Sequence, residues 1–356
     1  MYLGYIVVLL FALASMLSYL EKYMGKYKLP VYLFLGIVLI VLAGTREVGI
    51  DPDSINYEDA YHNYYSLRKS GDVDFSFLWL SSLFNNITSD VHIIFLFYAT
   101  VAIILKFISF RKLSEFWFLP VVVYLSYYYE LHEMTQIRTG VLSGLFLLSI
   151  VHLAEGRRLT AFLLMVVLGG FFHISSLMLL PLLFLSNKEI SPKYRLFWAA
   201  VIPVAYVFHF FFSAIIMSVD LPYIGDKLAV YQAAEERGIA NVSVNILSPL
   251  HLFTTFLFYY LLFFYDTIKT ENKYFPLLIK IYAIGVACYT AFAFLPVLAE
   301  RTSYQFRVVT IILYANIIYT IKPKWFGMLI VILVAFVYLN YGLPYISMDL
   351  FWESSK

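Results

Sequence analysis

Long apolar stretches recur along nearly the whole chain, and this leaves it few folds to choose from. Candidate spans run 2–20, 30–44, 91–109, 116–130, 137–154, 195–217, 248–268, 274–296, 304–321 and 325–343. A hydrocarbon core of about 30 Å takes about 20 apolar residues as helix, and most of these stretches approach that length. The stretch 160–186 is too long for one span and is interrupted by Gly169-Gly170-Phe171-Phe172-His173, so it reads as two short helices meeting near the outer face. Broken helices are tolerated at membrane depth where protein or a water-filled cavity covers them. The segment 75–87 is too short to cross and is expected to lie along the interface. The expected fold is an all-α polytopic membrane protein with about twelve hydrophobic crossings including the broken pair. It forms a single transmembrane domain over 1–356, with large outer loops at 45–74 and 218–246.

Composition agrees. Of 356 residues, 62% are hydrophobic and 13% charged, against about 25% charged in a soluble domain. The one cysteine, Cys288, falls inside a span, which excludes a disulfide framework and a cysteine-based metal site. The opening MYLGYIVVLLFALASMLSYL lacks a basic leader and is read as a retained span.

Orientation follows from the basic residues. With the N-terminus outside, the inward loops carry Lys22, Lys26, Lys28, Lys106, Arg111 and Lys112, then Arg157 and Arg158, then Lys188, Lys193 and Arg195. Lys269, Lys273, Lys280, Lys322 and Lys324 complete the set, which is 16 of the 25 basic residues. Acidic residues divide the other way, with 17 of 23 outside.

The residues that resist this rule are informative. The inner set holds 12 Lys and 4 Arg; the outer set holds 3 Lys and 6 Arg, namely Arg46, Arg68, Arg138, Arg237, Arg301 and Arg307. Arg46, Arg138, Arg301 and Arg307 sit at or just inside the outer ends of spans. An intramembrane cation is costly unless it faces a cavity or a partner. One reading pairs them with Glu47, Glu130, Glu133 and Glu300 as structural salt bridges. The other notes that a guanidinium fork suits phosphate and carboxylate better than lysine does, and expects the four arginines to converge on an anionic lipid head group.

The loop after the second span packs Asp51, Asp53, Glu58 and Asp59 among Tyr57, Tyr61, Tyr64 and Tyr65, whose spacing suits a helix from Ser54 onward. It reads either as an interfacial helix contributing to an aromatic belt or as a sugar site. In a sugar site aromatic faces stack on pyranose rings and a carboxylate takes a proton. Asp51 is the carboxylate nearest Arg46; Asp51, Asp53 and Glu58 are alternatively a divalent-cation set. His173 follows Gly-Gly-Phe-Phe and is either a core residue or an acid, base or phosphate donor. Tyr124, Tyr127, Tyr128 and Tyr129 are expected as belt residues. Tyr231 is expected to be structural or acceptor-facing.

Four of these elements together resemble a known family. TREVGIDPDSINYEDAY, MTQIRTGVLSGLFLLSIVHL, GGFFHISSLMLLPLLFL and AERTSYQF occur in the same order as the motifs of the EpsG/Wzy-like polysaccharide polymerases, from Arg46 to Arg307. Thr139 stands where that pattern usually has Gln, and Ile174 where Pro is common. The resemblance implies a GT-C-like glycosyltransferase. Such an enzyme joins undecaprenyl-pyrophosphate-linked oligosaccharide repeat units into O-antigen or exopolysaccharide at the outer face of the bacterial inner membrane. It places Arg138 and Arg301 on the pyrophosphate with Arg46 and Arg307 in support, where preorganised cations stabilise the leaving group. Asp51 becomes the base, with His173 its rival, and Tyr57, Glu130 and Glu133 line the substrate. It implies lipid-linked donor and acceptor, membrane lipid and a chain-length-regulating co-polymerase as partners, with no nucleic acid, cofactor or metal. Rival readings are a lipid-linked glycan ligase, a monosaccharide-transferring GT-C enzyme, and a transporter or flippase. The last predicts charges deep in several spans and two related halves.

Overall fold

The computed structural model describes residues 2–70, 75–218 and 244–346, with side chains for 3–67, 75–212 and 244–346. Most of the expected loop 218–246, with Tyr231 and Arg237, and the side chain of Arg68 lie outside the described residues.

Every regular element among the described residues is helical, as apolar spans require, because in lipid each backbone polar group must be satisfied within its own segment. The chain runs α1 (Tyr2–Leu20), α2 (Lys28–Gly44), α3 (Ser54–His62), α4 (Tyr64–Ser70), α5 (Phe75–Asn85), α6 (His92–Leu113) and α7 (Phe118–Val123). Two π-helical segments follow, Tyr124–Tyr128 and Glu130–Thr135, before α8 (Ile137–Ala154). Next come α9 (Arg158–Phe162), a π segment Leu163–Leu168, α10 (Gly169–Phe172) and a 3-10 run Ile174–Phe184. The rest is α11 (Pro192–Ser218), α12 (Pro249–Phe263), α13 (Tyr265–Glu271), α14 (Phe275–Ala291), α15 (Pro296–Arg307), α16 (Thr310–Ala315) and α17 (Lys324–Gly342).

Six of these helical stretches are long and apolar enough to cross a membrane: Leu3–Tyr23, Gly25–Gly44, His92–Leu113, Ile137–Ala154, Pro192–Phe212 and Lys324–Ile346. Seven shorter apolar helices of 10–17 residues accompany them. The stretch 160–186 breaks as its sequence foretells. His173 is extended (φ −155°, ψ 132°) and separates the helical run ending at Phe172 from the 3-10 run.

Contacts divide the chain into two compact units. The first is Met1–Asn187, Thr267–Phe275 and Thr310–Lys356; the second is Lys188–Asp266 and Pro276–Val309. In the first unit α6 packs along both α2 and α8, and α17 packs on α7 and the π segment that follows it. Leu9, Phe34 and Ile37 stay exposed on α1 and α2, a surface made for lipid.

Loops expected on one side meet within this unit. Lys28 Nζ lies 4.1 Å from the Trp117 ring and the Arg111 guanidinium 4.3 Å from it, while Lys324 sits 5.8 Å from Phe116. At the other ends of the same helices, Arg46, Asp51, His92 and Met134 are joined by hydrogen bonds. Two cations move out of the inward loops to which their sequence assigned them. Lys106 is fully buried within α6, and Lys280 is buried within α14, where its Nζ donates to the Lys188 carbonyl at 2.7 Å. Both lie within apolar helix, where a four-carbon stem carries the ammonium to an acceptor; neither belongs to the orientation tally.

Candidate functional site

The loop leaving α2 turns on Arg46. Its Nε donates to Asp51 Oδ2 at 2.9 Å, and both side chains are fully buried. Its terminal nitrogens donate to the carbonyls of Ala43, at 2.7 Å, and Met134. The other Asp51 oxygen accepts from the backbone N–H of Asp53 at 3.1 Å and of Ser54 at 3.0 Å, donors that the first turn of α3 would otherwise leave unmet. Arg46 and Asp51 thus clasp α2, α3 and the Glu130–Thr135 segment together. Arg46 takes Asp51 as its ion-pair partner in place of the neighbouring Glu47.

A cation–ring chain continues from the clasp. Arg46 lies 4.1 Å from the centroid of Phe95; Phe95 and Tyr57 rings are 6.4 Å apart; Arg138 stands 5.6 Å from the Tyr57 ring. Unlike Arg46, Arg138 is only half-buried, in the first turn of α8. Tyr57, Tyr61, Phe77, Phe95, Ile137 and Phe172 belong to one hydrophobic core. Three of the sequence elements therefore meet: the first outer loop, the start of α8 beside Arg138, and the break beside His173.

The expected tyrosine belt is corrected here. Tyr61 is buried, its hydroxyl donating to Thr88 O at 2.8 Å, and Tyr57 is nearly so; Tyr65 remains exposed. Tyr124, Tyr127, Tyr128 and Tyr129 are buried too, Tyr129 donating to Leu39 O and Tyr124 to Glu133. The π turns rotate these consecutive rings into protein. A phenol inside a bundle finds acceptors that the water interface would otherwise supply.

His173 caps the 3-10 run, its Nδ1 accepting from Ser175 N at 3.0 Å. In the neutral ring the proton then resides on Nε2.

Glu133 was expected beside an outer arginine. It pairs instead with Lys106, whose Nζ donates to Glu133 Oε1 at 2.5 Å and to Gly140 O at 2.8 Å. Gly140 permits this: a Cβ there would lie 2.5 Å from His132 O. Glu130 is fully buried, and neither of its carboxylate oxygens has a hydrogen-bond partner among the described residues. It forms no salt bridge of the expected kind.

At the same end of this unit as the clasp, His92 Nε2 lies 3.0 Å from Arg46 O and Nδ1 lies 2.6 Å from Asp90. The backbone and ring of His92 hold the Asp90 carboxyl below its ordinary range.

The second unit carries the other two arginines. Arg301 is exposed on α15, as is Glu300. Arg307 is buried at the end of that helix and donates to Thr254 Oγ1 at 3.0 Å and Ser303 Oγ at 3.5 Å. On the same face of α12, His251 is 2% exposed, with Nε2 2.9 Å from Thr290 Oγ1 and its ring stacked on Tyr289 at 4.5 Å. Its Nδ1 has no hydrogen-bond partner among the described residues. Sequence reasoning passed over His251; a histidine opening an apolar helix behind a Ser-Pro start was the available signal.

Taken together, the fold and these buried charges define a multi-pass membrane protein. The EpsG family pattern matches residues 29–352, and the chain belongs to that family. Membership points to a polysaccharide polymerase within the membrane. No curated protein and no solved structure matches the chain.

Proposed function

We propose that this protein polymerises lipid-linked oligosaccharide repeat units at the outer face of the bacterial inner membrane. The family match carries the reading, since it takes in all four arginines, Asp51 and His173. In the reaction a sugar hydroxyl of one unit attacks the reducing-end carbon of the growing glycan. A new C–O bond forms, the C–O bond to the pyrophosphate carrier breaks, and the hydroxyl proton passes to a base. The requirement is stabilisation of the departing pyrophosphate, which guanidinium groups supply well in a water-poor site.

The geometry supports a division of labour among the candidates. Arg138, half-buried beside the Tyr57 ring, suits the phosphate. In the second unit Arg301 and Arg307 take the same class of ligand. Arg46 and Asp51, with each guanidinium nitrogen and both carboxylate oxygens engaged in the clasp, act as positioning residues for the first outer loop. His173, with Nδ1 accepting, donates through Nε2 to an anionic oxygen.

The test is product analysis with the purified full-length protein and lipid-linked repeat units. A ladder of longer lipid-linked glycans is expected, at least tenfold weaker in Arg138→Ala of normal fold. Transfer of glycan to an acceptor other than a lipid-linked repeat unit makes it a ligase; no covalent product, with units moved between leaflets, makes it a flippase. Either result overturns the proposal.

A further inference from the structure

Along the lipid-facing side of the first unit, α2 and α6 leave an apolar groove of about 260 Å³ between them. Its floor is Tyr32 against Phe107, with ring centroids 4.5 Å apart and the Tyr32 hydroxyl donating to Phe107 O at 3.0 Å. The indentation exists because position 36 is glycine: a Cβ there would stand 3.1 Å from the Phe107 ring. The walls include Ile37 and Ile104, 57% and 46% exposed. From Leu33 to Ile40 the groove follows two turns of helix, about 10 Å.

One end is different. Arg111 is the charged side chain of the lining, in the last turn of α6 beside Lys112. Its guanidinium is held over Trp117, whose ring also carries Lys28. Lys28 is matched by Glu21 at 2.6 Å, so that acid is already engaged. A narrow apolar slot of about 260 Å³ ending in a fixed guanidinium has the charge pattern of a lipid with an anionic head group. Basic pockets between membrane helices recognise such heads.

We propose that this groove is a binding site for one anionic phospholipid of the surrounding membrane. Its acyl chain lies between α2 and α6 over Gly36, and its phosphate lies on Arg111. The fork of donors on Arg111 takes two phosphate oxygens, which a zwitterionic lipid offers with an opposing ammonium beside them. A second copy of the chain is disfavoured as occupant, because a slot of this volume accepts a hydrocarbon chain but not a helix. The site is separate from the polymerase chemistry and does not depend on it.

The test is native mass spectrometry of the full-length protein in mild detergent. It is titrated with dioleoylphosphatidylglycerol or dioleoylphosphatidylcholine, which share acyl chains and differ in head group. One phosphatidylglycerol is expected to bind at least fivefold more tightly than phosphatidylcholine. Arg111→Gln should remove that preference while chain binding persists. Ile104→Trp, which fills the groove from its lipid side, should weaken both lipids. Lys193→Gln, an exposed cation elsewhere, should change neither. Circular dichroism and size exclusion confirm the fold of each variant. Equal affinity for the two lipids in the parent protein overturns the site, as does a preference that survives Arg111→Gln or falls equally in Lys193→Gln. A dimer in place of the lipid adduct, or displacement by equimolar undecaprenyl phosphate, assigns the groove to another occupant and also overturns it.

Discussion

The buried cations of the two units are handled in different ways. In the first, Arg46 meets Asp51 and Lys106 meets Glu133, and the remaining donors go to backbone carbonyls. In the second, Arg307 donates to the hydroxyls of Thr254 and Ser303. A carboxylate beside a buried cation makes a pair whose value to the fold lies in its completeness, because removing one partner strands the other. Hydroxyls are neutral and rotate, so they can yield a guanidinium to an incoming phosphate oxygen at small cost. The contrast makes it testable whether the carboxylate-paired cations serve the architecture and Arg307 a ligand.

The sharpest way to break this contrast is at Lys106. Lys106→Met leaves Glu133 charged and buried, and stability should fall by about 3–5 kcal/mol. The expected readout is loss of the folded monodisperse peak, recovered substantially in Lys106→Met/Glu133→Leu. A single variant as stable as the parent would end the architectural reading of that pair.

Asp51→Asn comes next. It weakens the bond to Arg46 and one charge-assisted cap of α3, an effect of about 1.5–3 kcal/mol for hydrogen bonds to charged groups. Thermal stability and polymer yield should decline together, and Arg46→Lys should behave alike. A fully stable Asp51→Asn protein without activity, missing the limb of the pH profile that needs a deprotonated carboxylate, would restore Asp51 as the base.

Arg307→Lys is expected to do the converse. Charge is kept and the fork lost, so polymerisation should drop about tenfold, or about 1.4 kcal/mol in the barrier, with little change in melting. Normal activity with a lowered melting point would make Arg307 a structural cation like Arg46.

The smallest effect is at Asp90. Its carboxyl is held below the ordinary 3.8 by His92. A depressed carboxyl stabilises the fold above its unfolded value, and that stability is lost as pH falls through the folded one. Asp90→Asn should therefore cost under about 1 kcal/mol at neutral pH, and the two proteins should begin to converge as pH falls below 3.8 and through the lower folded value. A difference that stayed constant as pH fell well below 3.8 would show that the His92 contact acts through geometry alone.

The transporter reading gains one point from the structure, since Lys106, Glu130 and Glu133 do lie inside helical segments. Family membership favours the polymerase.

Apolar runs, the break at His173 and the proximity of Arg46 to Asp51 were all legible from residue order. Each depends on local periodicity or on neighbours a few positions apart, and a hydrocarbon solvent enforces the first without tertiary help. The destination of each charge was not legible. Lys106 lies 27 residues from Glu133, and π turns, which rotate the tyrosines inward and bring Glu133 to the lysine, leave no periodic mark in the sequence. Arg307 finds Thr254 across 53 residues, and His251 acquires interest through Thr290 on another helix. Composition and periodicity determine that the chain enters the membrane and where it is helical. Which cation meets a carboxylate and which meets hydroxyls was decided by packing, because a buried charge is satisfied by whatever three-dimensional neighbour completes it.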